Sequence, residues 1–215
     1  MYILVTGWVP SINSTYTCND IVYVETGEPN VKTIIFDKQV KFLKKLRSRT
    51  TGYVIKAINM AIQTKSLIGR RIQYLENNPI NHNMQFQSDL QTRIQNSDST
   101  RRIQYRLINP NLKPYTPMFD FKLPELHRIA ITRIRTGSHH LKIETGRWAR
   151  IPTENRKCHC QTGIQDEEHV LLKCPLSKDL RQTFRINHTS LTDLYDHNIE
   201  DLAEYCYRIL LLYRT

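Results

Sequence analysis

The sequence predicts a mainly α-helical fold: a helical bundle with a small β element at its N-terminal end and a compact segment of cysteine and histidine near its C-terminal end. Apolar residues recur at helical spacing through most of residues 37–136 and again over 199–213. β-Rich runs are confined to residues 1–36. Three of the five cysteines lie within residues 158–174, which is typical of a metal site and not of a disulfide framework.

Residues 1–36 are expected to form short strands and turns. Tyr2–Val5 and Ile21–Val24 are rich in residues that favour strands, and the Thr-Gly-Glu-Pro sequence of residues 26–29 predicts a turn. The first lysine is Lys32, so the apolar N-terminal residues lack the basic region of a signal peptide, and we expect a buried strand there. A strand at the very first residue indicates a piece of a longer chain.

Residues 37–136 are expected to be helical. Asp37 is the predicted N-cap of a first helix that ends near Thr50, and a second helix is predicted from Tyr53 to Leu75, before an Asn-Asn-Pro sequence. Three further helices are predicted at residues 84–95, 99–108 and 124–136. Four cations share one face of the first helix: Lys38, Lys41, Lys45 and Arg49.

Residues 137–185 contain the predicted metal-binding segment, and residues 186–215 are expected to end in a C-terminal helix. Apolar residues recur at helical spacing over residues 199–213, and Cys206 is one of them. Cys206 is therefore expected to lie in the core and not to bind the metal.

The charge balance favours a polyanionic partner. The chain carries a formal net charge of +11 and has a pI of about 9.5. RNA or DNA is the expected partner, with an anionic membrane surface as the second choice and simple solvation of the lysines as the third. No run of 18 apolar residues is present, so no membrane span is expected. An odd number of cysteines without a framework pattern predicts an intracellular protein of the nucleus or cytoplasm.

Cys158, Cys160, His169 and Cys174 form a C-x-C-x8-H-x4-C pattern. Three thiolates and one imidazole are a complete tetrahedral ligand set for Zn²⁺, with no position open for a substrate. The pattern therefore predicts a CCHC zinc knuckle whose metal is structural. His159 is a competing ligand, and the chance occurrence of three cysteines and a histidine in a helical domain is the alternative.

The residues around these ligands fit such a segment. Gly163 lies between the two ligand pairs, where the chain must reverse, and Asp166 is the expected cap of a short helix that carries His169. Pro175 follows the last ligand, and Glu167 or Glu168 is expected to support the ligands from a second layer of contacts.

The residues before and within the metal motif resemble a known family. Residues 133–148 read RIRTGSHHLKIETGRW, and residues 166–176 read DEEHVLLKCPL. These strings are similar to the C-terminal region of non-LTR (LINE-type) retrotransposon reverse transcriptases that lack an RNase H domain. The resemblance covers about residues 128–181 and, more weakly, residues 22–75, where it implies helices that connect to a polymerase thumb. The first ligand pair departs from the family, because it is C-x-C and not C-x2-C.

The resemblance implies a region that holds template RNA or target DNA beside a polymerase. The polymerase part of the parent element is then a possible partner. The residues expected to contact the nucleic acid are Lys38, Lys41, Lys45, Arg49, Arg133, Arg135, His139, Arg147, Arg150, Arg156 and Lys157. For Arg147, an internal salt bridge to Glu144 is an equal alternative. Trp148 could stack on a base, although packing is the more common role of such a residue.

We expect no catalytic activity. No [FY]-x-D-D string is present, so the aspartate pair of a polymerase palm is missing, and the expected function is that of a fragment that lacks polymerase and endonuclease domains. A zinc deaminase would need an H-x-E string and an open ligand position, and the pattern offers neither. The alternatives are a zinc-braced helical module for protein interaction, or an inactive remnant of a mobile element.

Overall fold

The computed structural model describes residues 19–49, 52–77, 82–119 and 122–214, and these residues are mainly helical, as predicted. Within them, the β structure is limited to a single antiparallel bridge between Lys157 and Ile164. The chain divides into two compact units. The middle unit spans residues 28–93, and the C-terminal unit combines the residues up to Gly27 with those from Ile94 onward.

The middle unit is built from helices. They are α2 (Val31–Arg49), α3 (Gly52–Gln63), α4 (Leu67–Asn77) and most of α5 (His82–Gln95). The backbone N–H of Thr33 donates to the Asn30 side chain at 2.9 Å, which identifies Asn30 as the cap of α2. The prediction that Asp37 caps this helix is therefore wrong, because the helix has already begun six residues earlier.

The helix predicted from Tyr53 to Leu75 is interrupted at residues 64–66. The hydroxyl of Ser66 accepts a hydrogen bond from the N–H of Gly69 at 3.1 Å and so caps α4. Helices α3 and α4 then pack so closely that a Cβ atom on Gly69 would lie 1.8 Å from the carbonyl oxygen of Ala61. A small core of Phe36, Leu43 and Leu75 completes the middle unit.

The C-terminal unit contains seven α-helices among its described residues. They are α1 (Asn19–Thr26), α6 (Thr100–Ile108), α7 (Glu125–Thr136), α8 (Lys142–Trp148), α9 (Lys178–Thr183), α10 (Leu191–Leu194) and α11 (Ile199–Leu212). Short 3-10 turns lie at Thr116–Phe119, Thr153–Asn155 and Pro175–Ser177.

Helix α1 replaces one of the two strands of the predicted β element. The expected strand Ile21–Val24 is helical, and Ile21, Val24 and Glu25 are buried at helical spacing. The β-branched residues favour strands locally, but this spacing buries them on one side of a helix, and tertiary packing overrides the local preference. The other expected strand, Tyr2–Val5, lies outside the described residues.

Helices α7 and α11 form the most extensive helix pair of the C-terminal unit. Ile131 and Ile134 of α7 are fully buried in the same core as Leu202 and Ile209 of α11. The hydroxyl of Tyr205 donates to the carbonyl oxygen of Leu171 at 2.5 Å and so ties α11 to the segment that carries the predicted metal ligands.

Among the described residues, no helix combines the length and apolar character that crossing a membrane requires.

Candidate functional site

A tight hairpin places the first two cysteines. The backbone N–H of Cys158 donates to the carbonyl of Gly163 at 2.8 Å, and that of Gln161 donates to the carbonyl of Cys158 at 3.0 Å. Gln161 adopts the left-handed conformation, with φ of 63°. The chain therefore reverses within six residues and carries Cys158 and Cys160 on the same turn.

A wide helical turn places the other two ligands. The Asp166 carboxylate accepts a hydrogen bond from the N–H of His169 at 2.8 Å, which confirms the predicted cap. Residues His169–Lys173 form a π-helical turn, in which the N–H of Cys174 donates to the carbonyl of His169 at 2.6 Å. This i→i+5 pattern brings Cys174 back to the side of His169.

The structure brings together the four predicted ligands. The ligand atoms of Cys158, Cys160, His169 and Cys174 all lie within 4.8 Å of one another. The Sγ atoms of Cys158 and Cys174 are 3.7 Å apart, and the Sγ of Cys160 is 3.2 Å from Nε2 of His169. This cluster could hold a metal ion. The competing histidine, His159, is exposed and is not part of the cluster.

The cluster depends on a close approach between the backbone of Gly163 and the imidazole of His169. A Cβ atom there would lie 2.8 Å from Nδ1 of His169, so a side chain would push the imidazole away. Cys158 and Cys174 are fully buried, whereas Cys160 is half-buried. The cluster therefore lies at the edge of the core and not on the open surface.

The thiols of the hairpin differ in acidity. Burial raises the pKa of Cys158 to about 11. Burial also acts to raise the pKa of Cys160, but hydrogen bonds from Thr162 and His169 outweigh it and lower that pKa to about 6. Cys160 is therefore a thiolate at neutral pH, and a divalent cation beside it would favour deprotonation of the other thiols.

Cys206 is separate from this cluster, as predicted. It is fully buried in the apolar core, where burial raises the pKa of its thiol to about 12. The thiol remains protonated at neutral pH and packs as a small apolar group.

The two glutamates near His169 have partners of their own. Glu167 is buried and its Oε1 lies 2.8 Å from Nε2 of His139, which is also buried. Glu168 forms an exposed pair with Lys173 at 2.6 Å. Glu167 thus connects the residues just before His169 to the loop after α7, and His139 is an internal residue.

Arg135 is a second predicted contact that lies inside the fold. Its guanidinium donates to both carboxylate oxygens of Glu25, at 2.7 and 2.8 Å. It also lies over the rings of Tyr115 and Tyr195, at 3.8 and 4.3 Å from their centroids. Burial acts to lower the pKa of Arg135, but the charge of Glu25 outweighs it and raises that pKa, so the guanidinium stays charged.

Arg156 is buried as well. Its guanidinium donates to the carbonyl of Ile151 at 2.9 and 2.7 Å and to that of Ile143 at 2.8 Å. These bonds fix the chain between α8 and the hairpin. Three of the predicted nucleic-acid contacts are thus at least nine-tenths buried and bonded within the C-terminal unit: His139, Arg135 and Arg156.

The carboxylate of Glu144 forms ion pairs with two arginines. Its carboxylate lies 2.5 Å from the guanidinium of Arg147, which is the internal pair that the sequence offered as an alternative. It also lies 2.6 Å from the guanidinium of Arg101, which is buried and donates to the carbonyl of Gly137 at 2.5 Å. Sequence reasoning missed Arg101, because nothing in α6 distinguishes it from the cations beside it.

The remaining predicted contacts lie at the surface. In the middle unit, three cations of α2 are exposed: Lys38, Lys41 and Lys45. Arg49 ends that helix, and its side chain lies outside the described part of the chain. In the C-terminal unit the exposed ones are Arg133, Arg150 and Lys157, and Arg147 is half-buried. The predicted basic contacts thus divide into surface and internal residues.

Searches against protein-family models, curated proteins and solved structures find no match to this chain.

Proposed function

We propose that the cluster of Cys158, Cys160, His169 and Cys174 binds one structural Zn²⁺ and that it braces a nucleic-acid-binding region. The observation that carries this proposal is the convergence of all four ligand atoms within 4.8 Å. Tetrahedral zinc with Zn–S bonds of about 2.3 Å places two sulfurs about 3.8 Å apart. The Sγ atoms of Cys158 and Cys174 lie 3.7 Å apart, which supports a tetrahedral site.

The composition of the site favours a structural role over a catalytic one. Three thiolates and an imidazole fill the four positions that zinc uses in structural sites, whereas catalytic sites keep one position for water or substrate. Two of the four ligands, Cys158 and Cys174, are fully buried in the core. The chemistry of the donor set thus supports a metal that holds the hairpin and the π-helical turn together.

The exposed cations support the nucleic-acid part of the proposal. Arg133, Arg150 and Lys157 are exposed in the C-terminal unit, and the chain has a net charge of +11. Lysine and arginine at a surface bind the phosphate backbone and release its counterions. The strings at residues 133–148 and 166–176 resemble non-LTR retrotransposon reverse transcriptases, and this resemblance favours a role in which the region holds RNA or DNA beside a polymerase and is not itself an enzyme.

The test is a salt series with a fixed nucleic acid. We expect the Kd for a short RNA and for a short DNA to rise steeply between low and high salt, because each phosphate contact adds about 0.7 to 0.9 to the slope of log K against log[salt]. We expect removal of zinc by a chelator to weaken binding. Weak binding that does not respond to salt, or binding that survives complete loss of the hairpin, contradicts the proposal.

A second candidate function is a zinc-braced module for protein interaction. The observation that favours it is the exposed apolar surface of the middle unit. Its most exposed large side chains are Tyr53 at 88%, Leu67 at 80%, Ile68 at 70% and Met84 at 70%. Isolated exposed apolar residues are normal, whereas exposed apolar residues that adjoin one another are typical of a surface that meets another protein. Salt-insensitive association with a protein partner, without affinity for nucleic acid, would favour this candidate.

A further inference from the structure

Trp148, the last residue of α8, is half exposed although its surroundings are fixed. Its side chain is 45% exposed, whereas Ile143 and Glu144 on the same helix are buried. The guanidinium of Arg147 lies over the indole ring, at 4.6 Å from its centroid, and that of Arg101 lies at 6.0 Å. A large aromatic group at the surface therefore has two cations close to its ring.

Those two cations are themselves held in place. Both arginines bind the buried carboxylate of Glu144, at 2.5 and 2.6 Å. Arg101 is buried, so this arrangement belongs to the core of the C-terminal unit and not to a mobile surface. The indole is thus oriented before any ligand arrives, and stacking on it would cost little ordering of the protein.

Arg150, two residues further on, adds an exposed cation in an unusual backbone conformation. Its φ is 54°, in the left-handed region where a residue other than glycine costs free energy. The side chain is exposed, so packing does not explain an arginine here. The turn keeps a positive charge within two residues of an exposed indole, at the point where the chain leaves α8.

We infer that Trp148 is a stacking site for an unpaired nucleobase and that Arg150 contacts the phosphate of the same strand. A base within a duplex has its faces covered by its neighbours, so an indole platform selects a single strand or an end. The cations close to the ring strengthen such stacking by their interaction with the π system. This inference rests on the proposed function and specifies its ligand: nucleic acid that is single-stranded at this point.

The first experiment measures the fluorescence of Trp148. The chain has two tryptophans, so a Trp8→Phe protein reports on Trp148 alone. We expect an oligothymidylate to quench its fluorescence to saturation, and a DNA duplex with the same number of phosphates to quench it far less at equal occupancy. Binding of both ligands without quenching by the single strand would overturn the inference.

The second experiment changes the ring. We expect Trp148→Leu to weaken binding of the oligothymidylate about tenfold, since stacking of one base contributes about 1 to 3 kcal/mol. Duplex binding should change less than twofold. Trp148→Phe keeps an aromatic face and should retain most of the single-strand preference. Equal loss with both ligands, or no loss with either, would contradict a stacking role; circular dichroism of each variant checks the fold.

The third experiment removes the cation by a substitution that suits the backbone conformation at residue 150. Arg150→Gly removes the charge and relieves the left-handed backbone, so a loss of binding cannot be ascribed to unfolding. Arg185→Gly is the matched control, because Arg185 is also exposed and has φ of 53°. We expect Arg150→Gly to reduce the slope of log K against log[salt] for the single strand by about one. Arg185→Gly should reduce that slope by less. Equal effects would overturn the role of Arg150.

These experiments separate the inference from the proposed function. If neither ligand binds in a salt-dependent way, the proposed function fails and the inference fails with it. If both ligands bind equally well and Trp148→Leu changes neither, the inference fails alone.

Discussion

Arg135 and Glu25 of the C-terminal unit form an ion pair whose side chains are 4% and 0% exposed, whereas Arg47 and Glu76 of the middle unit form one at 32% and 36%. The buried pair joins α1 to α7 across 110 residues of sequence. The exposed pair contributes about 0 to 1 kcal/mol, because water screens it and two flexible side chains must be ordered. An arginine–glutamate pair thus lies in the core of one unit and at the surface of the other.

The string at residues 133–148 therefore has a structural role in the C-terminal unit. Arg135, His139 and Glu144 each have a buried partner, in Glu25, Glu167 and Arg101. The partners come from α1, from the residues just before His169 and from α6. The string therefore connects three parts of the C-terminal unit, and its exposed residues include Arg133 and Trp148.

The largest expected effect comes from removal of a metal ligand. Cys174→Ser should abolish zinc binding and unfold residues 156–184, since metal binding and folding of such a segment are coupled by about 10 kcal/mol. Hydrogen exchange followed by mass spectrometry should show fast exchange there and unchanged exchange in the middle unit. Cys206→Ala is the matched control and should keep both the metal and the protection. Loss of protection in the middle unit as well would contradict the separation of the two units.

The next largest effect comes from the buried ion pair. Arg135→Met should destabilise the C-terminal unit by about 3 to 5 kcal/mol, because it leaves the buried charge of Glu25 without its partner. Arg133→Met, on the exposed side of the same helix, should change stability by less than about 0.5 kcal/mol but reduce the salt slope of nucleic-acid binding. Denaturant unfolding and a binding titration measure the two effects. An equal loss of stability in both variants would contradict the division into internal and surface cations.

Much of the helical pattern could be predicted from the sequence, because its signals are local. The helix predicted at residues 124–136 lies at Glu125–Thr136, directly after Pro124, and the one predicted at 199–213 lies at Ile199–Leu212. The ligand set was also accessible, since its four members lie within 17 consecutive residues, from Cys158 to Cys174. The zinc itself stays a prediction.

The predictions from sequence fail where a distant contact or a side-chain cap determines the secondary structure or the burial of a residue. Residues Ile21–Val24 have the composition of a strand. The spacing of Ile21 and Val24, however, buries both of them on one side of a helix. The break after α3 follows from hydroxyl groups: Thr64 donates to the carbonyls of Met60 and Ala61, and Ser66 caps α4. The burial of Arg135 depends on a carboxylate 110 residues away, which no local pattern encodes.

A smaller effect is expected in the middle unit. Gly69→Ala would place a Cβ atom 1.8 Å from the Ala61 carbonyl oxygen, so α3 and α4 must separate, at a cost of about 1 to 3 kcal/mol or more. Gly52→Ala is the control, since a Cβ atom there meets nothing within 4 Å. It should be neutral or stabilise by up to about 1 kcal/mol. Thermal unfolding measures both. If Gly69→Ala is tolerated as well as Gly52→Ala, the close packing of these helices is wrong.

The smallest effect on stability is expected for the exposed face of α2. Replacing Lys38, Lys41 and Lys45 together by Gln should change the free energy of unfolding by less than about 0.5 kcal/mol for each residue. If this face contacts phosphates, the salt slope of binding should fall by about two to three. An unchanged slope would restrict the nucleic-acid surface to the C-terminal unit, and a large loss of stability would show that these lysines are not merely surface residues.

The measurement that bears most directly on the central claim is native mass spectrometry of the purified chain at neutral pH, with zinc supplied and then removed by dialysis. We expect one zinc ion to be retained per folded chain, to be retained also in His159→Gln and to be lost in His169→Gln. A folded chain that retains no zinc, or a His169→Gln protein that retains it as firmly as the unaltered chain, would contradict the assignment of Cys158, Cys160, His169 and Cys174 as the ligands of one ion.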